Sequence, residues 1–242
     1  MTTFFDQRLA AWGGIVYTVL FGAGLLCAGW LPLPTPNMDA AEVVAMYQAN
    51  TNGIRLGMVL MVMGSVFYLG LTVVTWHQMK RMQGSVLAPT LQLATGIVNM
   101  TTFFYGPLIM GVAAFRPDRS ADAIYALHDL GWLIFIMPFA PPTAQCFSIA
   151  LGVLSDPGEE KVFPRWFGFL SLWAGVLFTP GGLVFFFKTG PFAWNGILAF
   201  YIAAAAFFIW ILCLVTLLLK AIGRQEAACA ATTPAAATPG GS

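Results

Sequence analysis

The chain has 242 residues, of which 59% are apolar and 9% charged, with a formal net charge of +1. A soluble domain carries about a quarter charged residues, so this composition excludes a soluble globular fold and makes lipid the expected solvent. The near-zero net charge gives no footing for a nucleic-acid partner.

Six apolar runs, 9–31, 56–76, 91–115, 130–154, 166–187 and 197–219, contain no Asp, Glu, Lys, Arg or His. Each is long enough to cross about 30 Å of hydrocarbon as a helix. Backbone groups in lipid must be satisfied within the segment, so the fold class is all-α, a bundle of six transmembrane helices. The first run is too long for a signal h-region and lacks a small-x-small cleavage site, so it reads as a retained span.

The connection after it opens on Pro32-Leu-Pro-Thr-Pro36, an extended stretch, and continues into Asp39-Ala-Ala-Glu42, the pattern of a capping box. Ala40, Val43, Val44 and Tyr47 then share a face at helical spacing, predicting a short interfacial helix. The second span carries Ser65, Tyr68, Thr72 and Thr75, and the third carries Gln92, Thr95, Asn99 and Thr102 at the same offsets. On an ideal helix each set lies within an arc of about 80°. Two consecutive spans thus carry polar stripes that must face protein or a wet cavity, serving as interhelical hydrogen bonds or as a substrate path. Asn99, near midspan, is the costliest to bury.

In the next outer connection Ser120 is placed to cap a helix through Ala121–Leu127 that runs into the fourth span. That span contains Pro138 and Pro141-Pro142, then Thr143 and Gln145, which predicts a kink or break over Met137–Gln145. The fifth contains Thr179-Pro-Gly-Gly182, a second predicted break, and a face of Gly168, Ser171, Gly175 and Thr179 for close helix approach. Ala199, Ala203 and Ala206 form a similar face on the sixth. A packing kink and an exposed ligand-binding backbone are both compatible with such breaks. Before the last span Gly190-Pro191 marks a turn, Asn195 is placed to cap the helix, and Trp194 to anchor it. The transmembrane domain is expected over 1–222, followed by a disordered cytoplasmic tail over 223–242 rich in Ala, Thr, Pro and Gly.

Arg8, Lys80, Arg81, Lys161, Arg165, Lys220 and Arg224 fall on one side, and Arg55, Arg116, Arg119 and Lys188 on the other. The excess places both termini in the cytoplasm. Trp12, Trp76 and Trp166 fall near inner ends and Trp30, Trp132 and Trp194 near outer ends, with Trp173 and Trp210 deeper as packing residues.

His77 and His128 sit at opposite ends of their spans, about 30 Å apart, so they cannot share one iron. The four cysteines show no metal-ligand spacing. Neither cofactor nor metal is expected. The polar cluster that includes a histidine is at the outer face: Arg119, Asp122, Tyr125, His128 and Asp129, with Arg55 on the same side. It reads as a solvated, salt-bridged cap or as a site for an external headgroup. No nucleophile, metalloprotease or phosphate-loop motif accompanies it, and no catalytic residue is assigned.

Ile54-Arg-Leu-Gly57 at the start of the second span, Phe163-Pro-Arg-Trp-Phe-Gly168, and Phe186-Phe-Lys-Thr-Gly-Pro-Phe-Ala-Trp-Asn-Gly196 together resemble the bacterial six-helix membrane proteins grouped as domain of unknown function 4386. The resemblance implies a bacterial plasma-membrane location and carries no activity. The leading expectation is binding or transport of a hydrophobic or amphipathic small molecule, with Ser65, Tyr68, Thr72, Gln92, Thr95, Asn99, Thr102, Thr143 and Gln145 along its path. The alternatives are an accessory subunit, partnered with another membrane protein or with its own copies, and a lipid-active enzyme using His128 with Asp122 or Asp129.

Overall fold

A computed structural model describes residues 2–232, which are helical throughout apart from short connections. The elements are α1 (Thr2–Ala28), α2 (Ala40–Ala49), α3 (Thr51–Met79), α4 (Ala88–Phe115), α5 (Ala121–Ile136), α6 (Ala140–Ser155), α7 (Arg165–Phe178), a 3-10 turn (Thr179–Leu183), a π-helical segment (Ile197–Ile202) and α8 (Ala203–Thr232). Six stretches are long and apolar enough to cross a membrane: Phe4–Ala28, Thr51–Met79, Ala88–Phe115, Ala121–Ser155, Arg165–Leu183 and Ile197–Ala231. The chain is a multi-pass membrane protein.

Lipid offers no hydrophobic gain for joining two apolar helices, so close packing and hydrogen bonds must hold the bundle. The closest partnership, α1 on α3, shows how. Gly24 and Gly57 face each other so tightly that a Cβ on either would sit 2.7 Å or less from the other's carbonyl oxygen. A Cβ on Gly13 would meet the Phe67 carbonyl at 2.6 Å. On α7 the predicted small-residue face does the same work, with Gly168 against Leu154 and Gly175 against Phe147. Ser171 also accepts a hydrogen bond from the Trp210 indole at 3.0 Å.

The α2 end of the bundle is built from local signals. Gly29, at φ +71°, closes α1: its N–H donates to Leu26 O, and Trp30 N–H donates to Leu25 O, both at 3.0 Å. This turn sends Trp30 inward. The Asp39 capping box forms as read, each of its two bonds at 2.9 Å, and α2 buries Val43 and Tyr47. The guanidinium of Arg55 donates to the carbonyls of Ala114 and Phe115, closing the C-terminus of α4.

At the other end, Arg8 pairs with Glu226 at 2.8 Å, which brings the start of α1 and the end of α8 together. Gln78 bridges Gln7 and Gln225 and accepts from Arg81. Arg224 donates to the carbonyls of Lys161 and Val162. The basic residues assigned to one side by sequence therefore do share one end.

Four local readings need correction. The last helix does not stop at 222 but continues to Thr232, held by Arg8, Gln78 and the α6–α7 connection; the rest of the expected tail, 233–242, lies outside the described residues. Ser120 and Asn195 precede helices without capping them through their side chains. The last span is capped by the Pro191 carbonyl instead, which accepts from Leu198 and Ala199 because Gly190, at φ +77°, turns the chain back over the helix start. Trp173 is 67% exposed on the outside of α7, not a packing residue, whereas Trp210 is buried.

Candidate functional site

Three spans lose α-helical regularity, and they do so side by side. Pro138 lies between α5 and α6, and Pro141-Pro142 open α6, so the fourth span is interrupted over Met137–Phe139. The fifth passes from α7 into the 3-10 turn at Thr179, where Pro180 and the two following glycines disfavour an α-helix. The sixth begins as a π-helix, with Tyr201 N–H reaching back to Gly196 O. Pro107 interrupts a fourth helix less severely: α4 continues through it, but the Phe103 carbonyl loses its usual donor.

A cavity of about 100 Å³ lies where these segments meet. Its wall includes Ile136, Pro138, Phe139 and Pro142 from the first break, Gly181 from the second, and Ala199 and Phe200 from the π-helical segment. Aromatic rings fill most of the rest: Tyr17 and Phe21 from α1, Phe103 from α4, Phe135 from α5, and Phe207 and Phe208 from α8. They form one packed set, with Tyr17 and Phe103 centroids 5.3 Å apart and Phe21 stacked on Phe135 at 5.5 Å. Asn99 and Thr102 add a polar edge.

Behind that edge lies a hydrogen-bonded hub. The Asn99 amide donates to the Tyr68 hydroxyl at 3.1 Å, and the Tyr68 hydroxyl donates to Gln145 Oε1 at 2.6 Å. Tyr68, Asn99 and Gln145 are all buried, and they tie α3, α4 and α6 together at one depth. The close approach of α6 to α4 here depends on Gly96, where a Cβ would lie 2.5 Å from Gln145 Nε2.

The two polar stripes therefore face protein, as their cost in lipid demanded, but their members do different things. Asn99 and Thr102 reach the cavity wall, and Tyr68 and Gln145 stand one hydrogen bond behind it. Gln92 instead donates to the Thr72 carbonyl at 3.4 Å, away from the cavity, and its own carbonyl oxygen has no partner. Ser65, Thr72, Thr75, Thr95 and Thr102 bond to carbonyls in their own helices. Thr143 donates to Gly175 O at 3.0 Å and so pins the start of α6 to α7. Sequence reasoning missed Tyr17 and the phenylalanines. The available signal was the depth of Tyr17 alone: tyrosine favours the interfaces, and this one sits well inside its span, whereas phenylalanine is at home throughout the hydrocarbon.

The outer-face candidates are not brought together. His128 is turned into the bundle, 1% exposed, and enclosed by Trp30, Trp132, Trp194 and Tyr47 with ring centroids 5.7–6.3 Å away. Its Nδ1 lies 3.3 Å from the Tyr47 hydroxyl. Burial pushes the Tyr47 pKa well above its ordinary value, so the phenol keeps its proton. The imidazole Nε2 has no partner among the described residues. Asp122 is exposed, and neither it nor Asp129 bonds to His128 among the described residues. Arg55 is committed to the end of α4, and Arg119 to the Val112 carbonyl at 3.4 Å. The expected salt-bridged cap does not form: among the described residues the ion pair within 4 Å is Arg8–Glu226, at the opposite end. Asp129 lines a separate pocket of about 90 Å³ with Lys188 and Trp194.

The three outer tryptophans are likewise core residues, each 5% exposed or less, and not lipid-facing anchors. Trp194 donates to Pro34 O at 2.8 Å, and the Tyr201 hydroxyl accepts from Leu33 N–H, so the first connection is laced to the start of the last span.

No protein-family model, curated protein or solved structure matches this chain.

Proposed function

We propose that the protein binds or transports a hydrophobic or amphipathic small molecule in the cavity at the three helix breaks. One observation carries this reading: the interrupted fourth span, the 3-10 end of the fifth and the π-helical start of the sixth all line the same cavity. Irregular backbone is costly in lipid and persists where it borders protein or a cavity, and π-helical turns collect at functional sites. The wall is largely apolar with a small polar edge, the usual make-up of a small-molecule site. Phe139, Pro142, Ala204 and Phe208 on this wall are partly exposed, so a lipid-soluble molecule has an apolar way in from the bilayer.

The setting is a bacterial plasma membrane with both termini in the cytoplasm, supported by the distribution of Lys and Arg and by the resemblance to the six-helix family. The enzyme reading loses its motive, since His128 has a phenol and indoles around it and no carboxylate.

Native mass spectrometry of the purified protein tests the binding reading. Wild type should retain a lipid-soluble molecule in excess of micellar background. Ala203→Phe, which projects a ring from the cavity wall, should release it without unfolding the bundle. Retention of the same molecule by the folded variant would refute this cavity as the site.

A further inference from the structure

We propose that the cavity selects a neutral lipid whose head is a ring bearing a hydroxyl group. This rests on the binding reading above and narrows it to a ligand class.

Charge is the first constraint. The cavity wall contains no Asp, Glu, Lys, Arg or His. An ion moved into such a site loses its hydration without gaining a counter-charge. The ligand head therefore carries no phosphate or carboxylate; a quaternary ammonium, which ring faces attract, would leave the Tyr17 hydroxyl and the Asn99 oxygen unmet.

Shape is the second. A cavity of about 100 Å³ bounded by Tyr17, Phe21, Phe103, Phe135, Phe207 and Phe208 offers ring faces and edges on several sides. Flat rings gain from offset and edge-to-face contacts in such surroundings, beyond the area they bury. An apolar cavity of about 150 Å³ admits benzene, so this one, at about 100 Å³, holds at most a single ring, with the rest of the lipid left outside.

Hydrogen bonding is the third. The Tyr17 hydroxyl is buried and has no partner among the described residues. It lies beside Tyr68, with ring centroids 5.4 Å apart, but the Tyr68 hydroxyl is already engaged with Asn99 and Gln145. Asn99 spends its amide N–H on Tyr68, and its carboxamide oxygen makes no bond among the described residues. The cavity wall thus supplies an unused hydroxyl donor on Tyr17 and an unused acceptor on Asn99, beside the second N–H of the Asn99 amide. A ligand hydroxyl answers both: its proton goes to the Asn99 oxygen and its lone pair accepts from Tyr17. A carbonyl or ether satisfies only Tyr17, and a hydrocarbon satisfies neither.

Three probes on one carbon skeleton test this: thymol, thymol methyl ether and p-cymene, which offer a hydroxyl, an ether oxygen and no oxygen. Binding is measured by calorimetry on ligand-stripped protein in micelles, each titration corrected against protein-free micelles. One neutral hydrogen bond corresponds to roughly a 3- to 10-fold change in affinity. Wild type should therefore bind thymol at least about tenfold tighter than p-cymene, with the methyl ether between them. Tyr17→Phe should lower thymol and ether affinity by roughly 3- to 10-fold and leave p-cymene unchanged. If none of the three binds wild type, the binding reading itself falls. If all bind alike, or Tyr17→Phe moves p-cymene as much as thymol, the cavity stands and hydroxyl selection is overturned. Equal affinity for thymol and its ether, which needs no variant to measure, removes the part assigned to Asn99. A copurified phospholipid that thymol cannot displace also overturns the proposal.

Discussion

Tyr17 and Tyr68 are both fully buried, their rings are in contact, and the same change, Tyr→Phe, should have opposite consequences at the two positions. At Tyr68 the lost oxygen takes with it a 2.6 Å bond to Gln145 and a 3.1 Å bond from Asn99. Interhelical hydrogen bonds in membrane proteins are worth about 0.6 kcal/mol on average and up to about 1.7. Two such bonds give a loss of about 1–3 kcal/mol, toward the upper end because two buried amides are stranded together. At Tyr17 the oxygen has no partner, so its removal relieves a buried unsatisfied group, and stability should stay level or rise by up to about 1 kcal/mol. Neither change disturbs ring packing. The measurement is unfolding of ligand-stripped protein in mixed micelles by titrated dodecyl sulfate, followed by far-ultraviolet circular dichroism. A Tyr68→Phe protein within about 0.5 kcal/mol of wild type would show that the hub does not hold α3, α4 and α6 together. A Tyr17→Phe protein as unstable as Tyr68→Phe would show that Tyr17 has a partner within the protein and is not held open for a ligand.

Gly57→Leu should prevent α1 from seating on α3, because the new side chain would begin 2.4 Å from the Gly24 carbonyl; the expected readout is loss of the monodisperse peak in size-exclusion chromatography. His128→Phe keeps an aromatic ring among the tryptophans and gives up only the contact with Tyr47, so it should cost about 1 kcal/mol in the same unfolding titration. In a cysteine-free background, Asn37→Cys should react with an impermeant maleimide added to intact cells and Glu159→Cys should not; the reverse pattern would invert the orientation. Asp39→Ala removes the cap of α2 and should cost about 1 kcal/mol, seen as faster amide exchange confined to α2 and its neighbours.

The parts of the fold legible in the sequence were those governed by solvent and by local chain stereochemistry. Six uncharged runs announce six spans because lipid rejects charge, and proline announces the interruptions at Pro138 and Thr179 because it lacks a donor wherever it sits. The Asp39 box is equally local. What faces what inside the bundle is a different matter. A span that is apolar all round has no amphipathic stripe to mark its inner face, so Phe21, Phe103 and Phe207 were indistinguishable by pattern from lipid-facing Val19, Val98 and Ile209. His128 misled for a related reason: a polar residue beside Asp129 in a run of charged neighbours looks exposed, whereas Trp132 one turn on and two tryptophans distant in sequence, Trp30 and Trp194, close over it. The extension of α8 was hidden because its Ala-rich composition suits a helix and a loose tail equally, and the deciding partners, Arg8 and Gln78, lie on other spans.

The polar stripes gain their meaning from the cavity. Had they served interhelical bonding alone, each member would have found a partner across a helix interface, as Thr143 does with Gly175 and Trp210 with Ser171. Most hydroxyls of the stripes bond within their own helices, and the true cross-helix bonds concentrate in the Tyr68 hub, one step from the cavity wall. A hub there holds the Asn99 amide nitrogen on Tyr68 and leaves the carboxamide oxygen free for the cavity. Losing the hub should then do more than loosen the bundle. It should let the Asn99 side chain turn over and exchange an acceptor for a donor at the cavity wall. Tyr68→Phe is therefore expected to reduce the preference for thymol over its methyl ether while sparing p-cymene, and a preference that survives intact would mean that Asn99 is oriented by something other than Tyr68.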